Sequence, residues 1–494
     1  MRMTGYDTGY DVVVVGAGVA GLIAALRSAS SGRTTLVLEA ADEPGGCVRF
    51  HRVADLELDR GAESFATVRP AVAALAAQLA LPVEAPLGRA AWIYHRAGPA
   101  PIPAATLLGI PAHPAAADVR RVIGWPGAAR AALDRLLPRG RTPQGLGELV
   151  RARLGSRVLR RLVAPVVAGV YSADPAGLDT EAVAPGLLRA LGEVGSLTGA
   201  VQRLRGSGPP AGSAVAGISG GMGLLSRALA VAVVEAGGEI RCDARVSGLS
   251  RAADGWAVAV QPATPGRARG ASAIAKAPGP RTASYPVETI LADRAVIAIP
   301  AAGAAPLIAR ATDGAVTLPT TAATEVLIAT LVVDEPLLDE APRGTGLLVA
   351  PDVTDVAAKA LTHATAKWAY LARRAGAHRH VLRLSYGRGS ATPADSDFPD
   401  LALRDAARLL GVPLARRQLV DAATVRYSGQ LAARRADQRA ALEEIPVQLQ
   451  RFPGLALCGS AIAGTGLGAV VTNAAATPIG DVPPLGAGSN YDEQ

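Results

Sequence analysis

Four consecutive valines, Val12 to Val15, run straight into Gly16-Ala17-Gly18-Val19-Ala20-Gly21, and nothing else in the chain constrains its fold as strongly. A continuous β-branched run reads as a strand buried on both faces, as in a parallel sheet. Residues 22–29 are rich in Ala and Leu and favour helix. Ser30-Ser31-Gly32 stops that helix, and residues 34–39 read as the next strand. The three glycines have separate tasks. Gly16 permits a tight turn, Gly18 lets the backbone approach a pyrophosphate, and Gly21 lets helix and strand pack closely. The free N–H groups and partial positive charge at the helix start favour phosphate. Glu39, 18 residues beyond Gly21, is placed to accept hydrogen bonds from a ribose diol, which disfavours the 2′-phosphate of NADP. A glycine motif alone is weak, and its bland reading is a turn without a ligand. Strand, turn, helix, strand and acid in the required order point to a dinucleotide site.

Composition narrows the rest. At 494 residues, 50% hydrophobic and 19% charged, the chain is globular and long enough for about three domains or one interleaved one. The net charge of +8 is nearly all arginine, with Lys276, Lys359 and Lys367 the only lysines. The arginines are scattered in short pairs such as Arg120-Arg121, Arg160-Arg161 and Arg434-Arg435, and aromatics are only 3%. A stacking platform for nucleic acid is therefore not expected. Cys47, Cys242 and Cys458 are far apart and odd in number, which disfavours a disulfide framework or a zinc site and fits a reducing, cytoplasmic setting. The six histidines are isolated apart from His378 and His380 in a polar loop, a poor ligand spacing, so no metal is expected. No signal peptide is expected, because residues 1–10 are polar and the first apolar run starts at Val12. No uninterrupted apolar run of about 18 residues occurs, which argues against a spanning helix; peripheral membrane contact and the oligomeric state stay open.

Further along, Pro44-Gly45-Gly46-Cys47 adds a second glycine pair that a plain NAD site does not need. It suits a chain folding back over an extended cofactor. Residues 455–457 read as a short buried strand, followed by Gly459, Gly464, Gly466 and Gly468 and then a helix over 470–476. A glycine-rich strand-to-helix junction is again an anion or ring-edge binder. Residues 256–260 and 295–299 read as strands. The stretch 262–286, rich in Pro, Gly, Ala, Ser and Arg, reads as a mobile hairpin loop, and the tail 481–494 as disordered. The cofactor domain is thus discontinuous, over 10–85, 215–300 and 421–480. Residues 86–214 read as mainly helical, with helices at 128–137, 143–154 and 156–167. Residues 301–420 mix strands at 323–333 and 381–386 with a helix at 401–410.

These residues resemble the flavin-containing amine oxidase superfamily, and Gly61-Ala62-Glu63-Ser64-Phe65 is similar to its porphyrinogen-oxidase branch. Four more segments resemble that branch in order: Pro101-Ile102-Pro103 with Leu108-Gly109-Ile110-Pro111; Leu162 to Asp174, carrying Gly169-Val170-Tyr171; Ile218-Ser219-Gly220-Gly221-Met222; and Pro453 to Ser460 with Gly464-Thr465-Gly466-Leu467. The resemblance implies an α/β fold: a discontinuous Rossmann-like FAD-binding domain, a mixed-sheet substrate domain and an inserted helical domain facing substrate or membrane. It implies FAD as cofactor, held by Gly16, Ala17, Gly18, Val19, Ala20, Gly21, Glu39, Ala40, Gly45, Gly46, Gly61, Ala62, Glu63, Ser64, Val246, Thr465, Gly466 and Leu467. Val246 would meet the adenine through its backbone, and Tyr171 would line the substrate pocket.

The implied partners are a tetrapyrrole and molecular oxygen. The implied reaction takes six electrons from a porphyrinogen in three cycles, each moving a hydride to flavin N5 and releasing hydrogen peroxide. Aromatic stabilisation of the product favours it, so no catalytic side chain is expected. Coproporphyrinogen III and protoporphyrinogen IX both fit, and the missing spanning helix tilts the choice toward the former. Three departures from the branch stand out. Cys47 replaces the usual Lys after the second glycine pair, Gly468 follows Leu467 where a proline is usual, and the segment around Tyr427 lacks its His. A flavin oxidase acting on an amine or a secondary metabolite, and a non-catalytic tetrapyrrole-binding flavoprotein, remain alternatives.

Overall fold

The computed structural model describes residues 9–138, 143–171, 174–206, 215–261, 287–319, 325–387, 398–428 and 435–485. Its first sheet grows from the valine run. Tyr10–Val15 pairs in parallel with Thr35–Leu38 on one side and Glu288–Ile297 on the other, with Val13 opposite Leu36 and Ala295. Val12, Val13 and Val14 are wholly buried, as a strand covered on both faces requires. Glu239–Arg241 adds beyond Thr35–Leu38, also parallel. The ten-residue strand Glu288–Ile297 forks. Its first half pairs antiparallel with Gly255–Gln261, which pairs with Arg245–Ala252, and its last residues pair in parallel with Leu455–Leu457. The end of the chain thereby returns to the middle of the sheet. One face is covered by the helices Val19–Ser30, Gly223–Glu235 and Leu467–Ala476, whose apolar residues share one core. Ala301–Ala311 packs with the hairpin strands on the other.

The second sheet has seven strands in the order Leu419–Ser428, Glu325–Asp334, Arg379–Tyr386, Ala360–His363, Gly346–Val349, Ala91–His95 and Gly98–Pro101. All neighbours are antiparallel except Gly346–Val349 with Ala91–His95. The amphipathic helix Phe398–Leu410 buries Phe398, Ala402, Leu403, Ala406 and Leu409 against it. A helical unit packs alongside. Ala117–Ala132, Leu146–Leu154, Leu187–Val194 and Leu197–Arg205 enclose a core around Leu149, Leu162 and Val163. The hairpin Phe50–Val53/Leu56–Asp59 links the two sheets, because Val53, Leu56 and Leu58 pack with Val332 and Val381.

Several sequence boundaries move. The segment expected to be mainly helical contributes two strands to the second sheet, Ala91–His95 and Gly98–Pro101. Pro99 and Pro101 are tolerated because Gly98–Pro101 is an edge strand, where a missing N–H breaks no central ladder. Leu419–Ser428, which the sequence boundary at 421 gives to the cofactor domain, is the opposite edge of the second sheet. The helix read at 128–137 begins at Ala117 and is kinked at Gly124, where φ is 71°. The tail read as disordered from 481 stays packed through 485. Val482 is buried, and the Arg27 guanidinium donates to the carbonyls of Ala474, Thr477 and Pro483. The loop 262–286 and residues 486–494 lie outside the described residues. Among the described residues no helix is long and apolar enough to cross a membrane.

Candidate functional site

The parallel strands Tyr10–Val15, Thr35–Leu38, Glu288–Ile297 and Leu455–Leu457 end on one edge of the first sheet, and open α/β sheets bind ligands at that edge. Gly16 turns there with φ of 100°, and its N–H donates to the Leu38 carbonyl at 2.8 Å. A methyl on Gly16 would stand 2.6 Å from Ile299 Cγ2, and one on Gly21 would overlap the Gly16 carbonyl oxygen. Gly18 precedes the helix Val19–Ser30 in extended conformation with no side-chain cap, and nothing lies within 4 Å of its missing side chain. The first amides of that helix are therefore uncovered.

Glu39 follows the second strand. Its Oε2 accepts from the Ala17 N–H and its Oε1 from the Ala41 N–H, each at 2.8 Å. A carboxylate has about four acceptor sites, so capacity remains for a diol. Ala40 is exposed beside it. Val246 lies in Arg245–Ala252 at the bulge where the pairing shifts between Val246 and Gly248.

The second glycine pair lies over the first turn. Gly45 bridges Gly18, and its N–H donates to the Ala17 carbonyl at 2.8 Å. A methyl on Gly46 would stand 3.4 Å from Gly18 Cα. The antiparallel pairing of the 50–59 hairpin continues outward. Arg60 N–H donates to the Arg49 carbonyl at 2.8 Å, and Ala62 N–H to the Cys47 carbonyl at 3.1 Å. The third piece comes from the chain end. Gly459, with φ of 82°, donates to Asn473 Oδ1 at 2.7 Å and lies so close to Ala20 that a methyl there would stand 2.7 Å from its Cβ. Thr465 and Gly466 then open the helix Leu467–Ala476, and all three residues 465–467 are half-buried. The structure thus brings Gly16 to Gly21, Glu39, Gly45, Gly46, Gly61 and Ala62 together at one sheet edge, with Gly459, ahead of Thr465 to Leu467, against Ala20.

Glu63 has a different setting. Its Oε1 accepts from Lys367 Nζ at 2.6 Å and its Oε2 from Arg383 at 2.7 Å, while Arg383 also donates to the Gly61 carbonyl at 2.6 Å. Burial opposes ionisation, but the two cations hold the carboxyl down to about 2. Ser64 is half-buried beside Phe65, whose strand pairs with Val215–Ile218. Tyr171 ends the helix Ala164–Tyr171, and its side chain lies outside the described residues.

The sequence reading missed Lys367, Arg383 and Asp59. Lys367 carries a compositional signal, as one of three lysines in an arginine-rich chain. Asp59 receives the N–H groups of Met222 and Gly223 at 3.1 and 2.9 Å and so caps Gly223–Glu235, although burial pushes its carboxyl up to about 6. An acid just before the Gly61 string and a helix opening on Gly220-Gly221-Met222-Gly223 are its sequence signals. Cys47 and Tyr427 meet at Gly61, where a methyl would stand 2.7 Å from the Tyr427 hydroxyl. That hydroxyl is buried with no hydrogen-bond partner among the described residues, and burial pushes it up to about 12. No cluster of three or more metal-ligating side chains occurs among the described residues.

The glycine turns, the uncovered helix start and the spare acceptor capacity of Glu39 fit an extended dinucleotide, and comparison with known proteins agrees. Residues 19–477 match the model of the family described as flavin containing amine oxidoreductase. The chain is 31% identical over 409 residues to coproporphyrinogen III oxidase of Mycobacterium bovis, covering 80% of each protein. It is 35% identical to that of Propionibacterium freudenreichii over 182 residues, 36% of this chain and 34% of the relative. Among solved structures, one named for a protoporphyrinogen oxidase of Exiguobacterium sp. 255-15 superposes with a TM-score of 0.76 at 22% identity, over 95% of this chain and 98% of the other. A UDP-galactopyranose mutase shares the fold at a TM-score of 0.65 and 13% identity, over 94% and 92%. Sequence match, fold and cradle together place this chain in the flavin containing amine oxidoreductase family, with FAD as its cofactor.

Proposed function

We propose that this protein oxidises a porphyrinogen to a porphyrin, with coproporphyrinogen III the preferred substrate, oxygen the final acceptor and the cytoplasm its setting. The similarity to coproporphyrinogen III oxidase of M. bovis over 80% of both chains carries the reading. Bound FAD would supply two-electron oxidation with oxygen as the acceptor and hydrogen peroxide as its product, so that three turnovers would remove six electrons. The rest is done by position and polarity. The first amides of Val19–Ser30 bind the pyrophosphate, and Glu39 takes the ribose diol. Gly45 and Gly46 close over the turn, and Val246 meets the adenine. Thr465, Gly466 and Leu467 present backbone to the ring system. Glu63, held ionised between Lys367 and Arg383, braces the cofactor strand against the second sheet and is not a proton shuttle. The substrate lies between that sheet and the helical unit, with Tyr171 lining it.

Initial rates of porphyrin fluorescence in air, with coproporphyrinogen III and with protoporphyrinogen IX, test this reading. The faster gain is expected with coproporphyrinogen III. A yellow protein that gives no gain with either overturns it. The departures at Cys47 and Gly468 favour one second reading, a flavoprotein that binds a tetrapyrrole without turning it over. Substrate-induced change in the flavin spectrum without fluorescence gain would select it.

A further inference from the structure

We propose that Arg60 is the cation that faces the FAD pyrophosphate beside Cys47, an inference that rests on FAD lying at the first glycine turn. The turn from Gly45 to Val48, which leads into the hairpin strand Phe50–Val53, is tied to the phosphate turn by the Gly45 N–H and the Gly18–Gly45 bridge. Along it, Ala62 pairs with Cys47 and Arg60 with Arg49. Directly opposite residues of an antiparallel pair present their side chains to one face. Arg49 and Arg60, one step beyond the Phe50–Asp59 pair, therefore share a face. Ala62, whose N–H holds the Cys47 carbonyl, is two residues from Arg60, at most about 7 Å along the chain, within the reach of the Arg60 side chain.

Two cations stand on that face, and only one is committed. Arg49 is held by Asp42 at 3.2 Å and Glu43 at 3.5 Å. The Arg60 side chain has no hydrogen-bond or ion-pair partner among the described residues, although it is half-buried. Burial and then the neighbouring Arg49 act against its charge, and together they outweigh the support from Tyr427, Asp42 and Glu43. A half-buried guanidinium beside a like charge is costly until an anion arrives. The uncovered amides of Val19–Ser30, joined to the Gly45 turn by the Gly18–Gly45 bridge, are where the anion of this cofactor is expected. The Cys47 thiol supplies no charge there, because burial pushes it up.

The test titrates FAD and ADP separately into full-length protein stripped of flavin, at low and moderate salt, following flavin fluorescence for FAD and displacement of FAD for ADP. Arg60→Gln is expected to weaken both ligands about 10-fold or more, the scale of a charge-assisted contact, and to flatten the salt dependence. Arg60→Lys is expected to keep most of the affinity, and Cys47→Lys added to Arg60→Gln to restore it. Thermal unfolding without ligand separates a folding defect from a binding defect. FAD and ADP affinities unchanged in a folded Arg60→Gln protein overturn the proposal, as does a loss for FAD alone with ADP unaffected. If Arg60→Gln does not fold, Arg60→Lys and the single variant Cys47→Lys decide: tighter ADP binding in Cys47→Lys than in wild type supports the shared anion site, and no change refutes it. Wild-type uptake of FAD is the control for the cofactor assignment itself.

Discussion

At the scale of single residues, Glu63 is the most consequential group near the cofactor. Its carboxylate accepts from both Lys367 Nζ and the Arg383 guanidinium. Removing one member of a buried ionic group leaves uncompensated charge and costs about 3–5 kcal/mol, so Glu63→Gln is expected to lower the urea midpoint of unfolding markedly at pH 7. The pH dependence separates its contribution from that of the buried histidines. Glu63 titrates near 2 in the fold against an ordinary value near 4.5. Its stabilisation is thus fully present above 4.5 and is lost as pH falls toward 2. His51 and His363 are pushed down to about 3 from 6.5, mainly by burial. They fold neutral, so stability falls as pH drops below 6.5, by about 2 kcal/mol for each between pH 7 and 5. Wild type and Glu63→Gln should therefore lose stability in parallel between pH 7 and 5, and their difference should shrink only below about 4.5. A gap that already closes between pH 7 and 5 would refute this division. Glu63 stands out in the sequence as part of a string, but its partners do not. Lys367 and Arg383 are some 300 residues away, and only the folded sheet brings them to it.

At the scale of elements, the first βαβ unit is almost wholly legible because its contacts are local. Strand, turn and helix follow one another, and each glycine has a steric reason readable from its spacing. Gly21 shows how tight that reason is. A methyl there would run into the Gly16 carbonyl oxygen, so Gly21→Ala must push the helix Val19–Ser30 off its strand. The expected outcome is a folded protein that purifies without flavin absorbance. Normal flavin content would show that the helix can move without losing the cradle. The second sheet is far less legible. Ala91–His95 finds its parallel partner in Gly346–Val349, and Leu419–Ser428 pairs with Glu325–Asp334 along its length. The apolar pattern of such segments announces a strand without saying which sheet it joins. Register between distant strands is fixed by burial of whole faces, which no local spacing records. The helical unit is intermediate: the sequence reading gives helices at 143–154 and 156–167 but not Leu187–Val194 or Leu197–Arg205, and the kink at Gly124 depends on a positive φ that sequence permits without requiring.

At the scale of the whole molecule, the cofactor cradle is assembled from both ends of the chain, and the bracing contacts cross between units. The strand Leu455–Leu457 closes the first sheet beside Glu288–Ile297. Arg439, just before it, pairs with Asp179 of the helical unit. Glu63 and the Gly61 carbonyl are clasped by Arg383 of the second sheet. A ligand that binds only the assembled state stabilises it by an amount that grows with its concentration over its dissociation constant, about 2.7 kcal/mol at a hundredfold excess. With FAD placed as proposed, against the segments these braces hold, its stabilisation should spread beyond the first sheet. Adding FAD to stripped protein is expected to raise one shared thermal transition and to protect amides of both sheets from hydrogen exchange. In Glu63→Gln, with the central brace cut, FAD should still protect the strand Tyr10–Val15 and the helix Val19–Ser30, but protection of Arg379–Tyr386 should fall away. Equal protection of that strand by FAD with and without the Glu63 carboxylate would mean that the hairpin packing of Val53, Leu56 and Leu58 on Val332 and Val381 couples the two sheets by itself, and that the ion pairs set local stability alone.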